Sequence, residues 1–325
     1  MTMGTKILAA QHYVPNTVVT NNQLAEVMET NDEWIVAHTG IKTRHFSMNG
    51  ENTSDLATKA AQKTLAQANY AAKDVDLIII STITPDAQTP ATAAIVQAKL
   101  GATNAWAYDI STACAGFVFA LSTADKFIKS GMYKSALVIS AEVNTKMMDF
   151  TDRTAAVFFG DGAGAALLVA DEQVNNIYAE SLHTMGDGET IHSGRTYPIT
   201  EIKTSNYPKT DAFFQEGRSV FEFATTTVPT HIQEFLTNAK LKAEDIDYFI
   251  THQANLRIIE KIAIELEQPM TKFCHNVEYY GNTSSAGIAM AFAELWNQNV
   301  DLKGKKLVLT GFGAGLSYGS ILLEF

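Results

Sequence analysis

The chain repeats itself at a fixed distance, and that repeat limits its fold more than any other feature. The acidic turn and apolar run from Lys73 to Ser81 return from Ala243 to His252, with Val75 matching Ile246 at an offset of 171. Ser111 to Phe117 returns as Asn282 to Ile288 at the same offset, and Ala136 to Ile139 as Leu307 to Thr310. A further apolar pair, Gly164 to Leu168 and Gly319 to Leu323, differs by 155, so the first copy holds 16 extra residues, roughly 144–159. Short continuous apolar runs bounded by turn residues read as fully buried strands. They alternate with helical patterns at Asp55–Ala68, Ala113–Lys129 and Asn255–Glu267. The chain therefore reads as two α/β halves, residues 1–172 and 173–325, with mostly parallel sheets between helix layers.

Charge and cysteine usage narrow the chemistry. Lys and Arg number 24 against 35 Asp and Glu, a net charge of −11, which opposes nucleic acid and anionic membranes. No apolar run approaches the ~18 residues of a membrane span. The N-terminus has no secretory h-region. The two cysteines, Cys114 and Cys274, lie far apart without metal-ligand spacing. A reducing, cytoplasmic setting and no metal site are expected.

Cys114 sits at a strand-to-helix turn. Ala107 to Ile110 precede it, and Phe117, Val118, Leu121, Ala124 and Ile128 follow at helical spacing until Gly131. Unpaired N–H groups at a helix start lower a thiol pKa and can hold an oxyanion. Ala113, Ala115 and Gly116 leave room beside the sulfur. Cys274, in Phe273-Cys274-His275, has no helix start and reads as structural. In the second copy, His252 ends a buried strand, where open α/β sheets place their ligands. Asn282 is the repeat partner of Ser111, so pseudo-symmetry sets it facing Cys114 across the sheet pair.

The stretches Thr112-Ala113-Cys114-Ala115-Gly116-Phe117, His252-Gln253-Ala254-Asn255 and Gly281-Asn282-Thr283-Ser284-Ser285-Ala286 together resemble β-ketoacyl-[acyl-carrier-protein] synthase III of the thiolase superfamily. Asn31 to Ile35, Phe159 to Gly164 and Gly311 to Gly315 carry the likeness along the whole chain. The resemblance implies a duplicated, five-layered αβαβα thiolase-like fold and a homodimer. It implies initiation of fatty acid synthesis by decarboxylative condensation of acyl-CoA with malonyl-acyl carrier protein, both substrates, and no cofactor. Cys114, His252 and Asn282 would be catalytic, with backbone N–H groups of Cys114 and Ala314 as the oxyanion hole. Thr30, Trp34, Arg153 and Asn255 would bind CoA. Thr89, Phe158 and Phe312 would shape the acyl pocket. Arg257 and Lys261, one turn apart on a helix, would dock the acidic carrier protein.

Three positions depart from the family pattern. His38 stands where many relatives carry arginine, and Arg218 where Asn is common. Thr89 replaces a phenylalanine that closes the acyl pocket from across the dimer, so primers longer than acetyl are expected. Papain-like hydrolases share the order Cys, His, Asn, but their Cys-Gly-Ser/Ala-Cys setting is absent here. A superfamily sibling, transferring acyl groups or condensing them in secondary metabolism, is the alternative that residue types alone do not separate.

Overall fold

The computed structural model describes residues 3–195, 210–298 and 300–325. Nine strands form the two sheets of the halves. In the first half these are β1 (Gly4–Tyr13), β2 (Leu77–Ser81), β3 (Trp106–Ile110), β4 (Ser135–Glu142) and β5 (Gly162–Asp171), in the order β1-β5-β4-β2-β3. In the second they are β6 (Ile177–Asp187), β7 (Tyr248–Thr251), β8 (Lys306–Gly313) and β9 (Gly315–Glu324), in the order β7-β8-β9-β6. The repeat is thus a structural one: β2 matches β7, β4 matches β8, and β5 matches β9.

The expectation of mostly parallel sheets needs correcting. β2 runs parallel to β3 and β4, and β7 to β8, but β1–β5, β4–β5, β8–β9 and β9–β6 are antiparallel. The cause is the closing strand of each half. It returns directly on its neighbour instead of crossing over through a helix. The 16 extra residues fall in this connection. The first half takes 143–161 to pass from β4 to β5, whereas Ala314 alone joins β8 to β9.

Two helices lie between the sheets, α3 (Gly116–Lys129) and α6 (Ala286–Asn297). A helix apolar on nearly every side belongs in a core, and in α6 every residue from Ala286 to Ala293 is buried. Its alanines bring sheet and helix close. At Gly164 in β5 a Cβ would lie 2.6 Å from the Ala289 carbonyl carbon, so only glycine fits there. The outer layers hold α2 (Thr53–Gln67) over the first sheet, and α4 (Gly217–Asn238) with α5 (Leu256–Glu265) over the second. The order helix, sheet, helix, sheet, helix is the layering that the resemblance implies. A short helix, α1 (Asp32–Thr39), capped by Asn31, packs against α5 at the surface.

The offset also holds in the backbone. Ala113 and Ser284 stand 171 apart, and both adopt the left-handed conformation, with φ of 46° and 52°. Few non-glycine residues do so. Each sits at the turn that leads into a central helix.

Candidate active site

Cys114 lies in a single 3-10 turn, Ala113–Ala115, between β3 and α3. The left-handed Ala113 turns the chain so that Cys114 faces a cavity of about 690 Å³. His252, Asn282, Ser284, Phe312 and the backbone from Gly313 to Gly315 line the same cavity. The nucleophile from one half and the His and Asn from the other therefore meet, as the repeat predicts. At Gly313 a Cβ would stand 2.8 Å from the Cys114 amide nitrogen. Glycine there lets the 313–315 backbone close on the helix start, bringing Ala314 and Cys114 to one spot.

The electrostatics of the sulfur differ from the sequence expectation. Cys114 keeps part of its surface open to the cavity, yet burial is the largest influence and pushes its thiol pKa up. A hydrogen bond with Ser284 Oγ, 3.3 Å from Sγ, pulls the other way, and the charge of Glu142 adds to the rise. Ser284 is thus the side chain that favours the thiolate, alongside a backbone hydrogen bond at Cys114 itself.

His252 extends the pairing of β7 with β8 by donating its N–H to the Thr310 carbonyl at 2.8 Å. Its ring stands edge-on to Phe312, with centroids 5.1 Å apart. It is 3% exposed, and burial brings its pKa down to about 3, so the imidazole is neutral at working pH. Asn282 is fixed at three points. Its N–H donates to Phe158 O at 2.7 Å, and its carbonyl accepts from Gly160 N at 3.0 Å. Its Oδ1 accepts from Ser284 N at 2.8 Å. With Oδ1 engaged, the Nδ2 amine is left as the donor available to a substrate oxygen.

The expected CoA residues gather around α1, outside the cavity lining. The Arg153 guanidinium lies 5.7 Å from the Trp34 ring centroid and donates to Glu29 O at 2.9 Å. Arg153 belongs to the extra segment of the first half, so the insertion does reach the Trp helix. His38, the departure from the family pattern, stacks on Trp34 at 4.4 Å. Thr30 keeps a buried hydroxyl without a partner among the described residues, and Asn255 caps α5 by accepting from Ile258 N at 3.0 Å. The expected basic docking patch is not a bare one. Arg257 pairs with Glu260 at 2.8 Å and Lys261 with Glu265 at 2.7 Å. Arg257 also donates to the carbonyls of Val36 and Ala37, bracing the end of α1.

One acyl-pocket residue lies elsewhere than expected. Phe159, not Phe158, lines the cavity, and Phe158 packs into the core beneath. Phe159 bridges to Asn282 as an extended strand residue, so neighbouring side chains point to opposite sides. Thr89 is exposed and outside the cavity of its own chain. Phe312 is where it was expected. Arg218, exposed at the start of α4, is not part of the lining. Ser284 escaped the sequence reading, although it occupies the repeat position of Ala113, beside the nucleophile.

Comparison with known proteins agrees with this geometry. The family model described as 3-oxoacyl-[acyl-carrier-protein (ACP)] synthase III matches residues 108–186, and its C-terminal counterpart matches residues 236–325. Beta-ketoacyl-[acyl-carrier-protein] synthase III 1 of Lactiplantibacillus plantarum is 59% identical over 322 residues, covering 98% of each chain. The crystal structure of 3-oxoacyl-[acyl-carrier-protein] synthase III from Aquifex aeolicus VF5 superposes with a TM-score of 0.92 at 38% identity, covering 99% of this chain and 100% of that one. The priming beta-ketosynthase from the R1128 polyketide biosynthetic pathway does so with a TM-score of 0.91 at 32% identity, covering 99% and 97%.

Proposed function

The chain belongs to the 3-oxoacyl-[acyl-carrier-protein] synthase III family, and on that premise we propose that Cys114, His252 and Asn282 carry out its chemistry. The reaction is the initiating condensation of fatty acid synthesis, in which acyl-CoA and malonyl-acyl carrier protein give 3-oxoacyl-carrier protein, CoA and CO₂.

In the first half-reaction the Cys114 sulfur attacks the thioester carbonyl of acyl-CoA, the C–S bond to CoA breaks, and CoA leaves with the proton the thiol gives up. The tetrahedral oxygen lies between the backbone N–H groups of Cys114 and Ala314, for which the close approach at Gly313 is the support. In the second, malonyl-carrier protein loses CO₂, and the C–C bonding pair becomes an enolate. No base is needed to remove a proton. The enolate oxygen needs donors, and neutral His252 and the Asn282 amine supply two. A positively charged partner would instead hold the malonyl carboxylate and hinder CO₂ loss. The enolate carbon then attacks the Cys114 thioester, and the Cys114 sulfur leaves.

The observation that carries this reading is the hydrogen bond from Ser284 N to Asn282 Oδ1, which leaves the amine as the end that faces a ligand. Asn282→Ala tests it. Loading of Cys114 from acyl-CoA should persist, while condensation falls by about 10²–10³, the usual cost of one oxyanion donor. Equal loss of both steps, or of neither, refutes the assignment.

The Trp34–Arg153 pair would hold the adenine of CoA, its 5.7 Å spacing opening to roughly 7 Å for a flat base between stacked groups. Thr30 and Asn255 would lie along the pantetheine arm. Arg257 would meet the carrier protein with the charge left over from Glu260. A homodimer is supported by the outer edge of β3, where Trp106 is 40% exposed and stacks on Tyr108. An unpaired apolar edge of this kind is a template for a second strand. In such a dimer Thr89 would bound the partner's acyl pocket. A cytoplasmic location fits two free cysteines, and no helix among the described residues is long and apolar enough to cross a membrane.

A further inference from the structure

The duplication sets a second constellation opposite the active one. Adding 171 to Ser81, Ser111, Ala113, Cys114 and Glu142 gives His252, Asn282, Ser284, Ser285 and Gly313. The second set is closed to substrate. Ser285 is fully buried, Glu142 is 0% exposed, and neither lines the cavity. Where Gly313 leaves room for backbone to reach Cys114, its counterpart Glu142 fills the space with a carboxyl group.

Among the described residues, that carboxyl takes its hydrogen bonds from two segments. Ser285 Oγ donates to it at 2.6 Å. Thr84 Oγ1 at 2.6 Å, Thr82 Oγ1 at 3.1 Å, and the N–H groups of Ile83 and Thr84, each at 3.1 Å, do so from the other side. Both segments adjoin the cavity, one through Thr82 and Ile83, the other through Asn282 and Ser284. The Asn282–Ser285 turn needs such a brace. Ser284 is left-handed at φ 52°, a state that a residue with a side chain keeps only when its surroundings over-determine it. The same Ser284 holds Asn282 Oδ1 through its N–H and touches the Cys114 sulfur through its hydroxyl. Two residues beyond Glu142, Asn144 Nδ2 donates to Gly160 O at 2.6 Å and reaches Asn282 O at 3.4 Å, so the end of β4 supports the turn twice.

We propose that Glu142 is a positioning residue, which braces the Asn282–Ser285 turn against residues 82–84 and so keeps the Asn282 amine aimed at the enolate oxygen. The inactive half-site of the duplication thereby becomes the support of the active one. This rests on the role given to Asn282 above.

Single-turnover measurements on the full-length protein separate the two half-reactions, with Ser285→Ala as the mild variant and Glu142→Gln as the severe one. In Ser285→Ala, acyl transfer from acyl-CoA to Cys114 should slow less than discharge by malonyl-carrier protein, which falls about ten- to a hundredfold, the scale of an ångström-sized misplacement. Glu142→Gln should show the same split more strongly. If it does not fold, Ser285→Ala decides. Loss of both half-reactions together with melting temperature would make Glu142 a purely structural residue and overturn the proposal, and so would a Ser285→Ala protein that condenses like the wild type. A wild-type protein that neither loads nor condenses would instead overturn the parent reading, and the proposal with it.

Discussion

Replacing Ser284 by alanine should slow the reaction of Cys114 by a constant factor at every pH below the pKa of its raised thiol. In the thiolate state only Ser284 can donate across the 3.3 Å contact, and this bond opposes the rise that burial imposes on the thiol. A hydrogen bond to a charged group contributes roughly 1.5–3 kcal/mol. At about 1.4 kcal/mol per pKa unit, its loss raises the thiol by roughly one to two units. The thiolate fraction then falls about 10- to 100-fold at any pH below both values. A more basic thiolate is also a better nucleophile, with a Brønsted slope of about 0.4–0.5, so the observed rate falls only about 3- to 16-fold. The cavity around the sulfur is open to solvent, which favours the lower end of that range. The assay is iodoacetamide alkylation of Cys114 followed by intact mass from pH 6 to about 10, with single-turnover acyl loading alongside. A variant whose alkylation profile overlays the wild type would show that the Ser284 hydroxyl does not hold the thiolate, and the electrostatic argument would fail.

Other outcomes follow from the same geometry. Because burial holds His252 at about 3, below the ordinary imidazole value of 6.5, its neutral form persists at any pH above that. The malonyl decarboxylation step should therefore show no protonation of His252 between pH 7 and about 5. A fall in rate with a midpoint near 6.5 would mean an exposed, ordinary imidazole. For the acyl pocket, Thr89→Phe should shift the chain-length profile of Cys114 acylation toward short primers. A wild-type profile that already collapses beyond two carbons would dispose of the argument.

How far the chain could be read from its letters depended on whether a residue's partner was set by the repeat or by packing. The halves, their strands and the meeting of Cys114 with His252 and Asn282 were legible, because one offset carries all of them. The direction of the strands was not, since apolar runs such as Leu77–Ser81 and Gly162–Asp171 do not say which way the chain returns. Phe158 and Phe159 are adjacent and chemically alike, and only the bridge from Phe159 to Asn282 settles which one faces the cavity. Whether the cations of the docking patch stand bare was likewise a matter of packing: Glu260 and Glu265 stand one turn from Arg257 and Lys261 and pair with them. The raised thiol was hidden because a helix start is visible in sequence and the depth of burial around it is not. Ser284 and Glu142 could have been found by carrying the offset of 171 through every position rather than the obvious ones.

The central claim is that Cys114 carries the acyl group between the two half-reactions, and intact mass spectrometry addresses it most directly. The purified protein would be mixed with a panel of acyl-CoAs, digested to locate the adduct, and then given malonyl-carrier protein. A single acyl group on Cys114, discharged as a 3-oxoacyl-carrier protein two carbons longer than the primer, is the predicted result. An adduct on another residue, or one that malonyl-carrier protein does not discharge, would contradict the account.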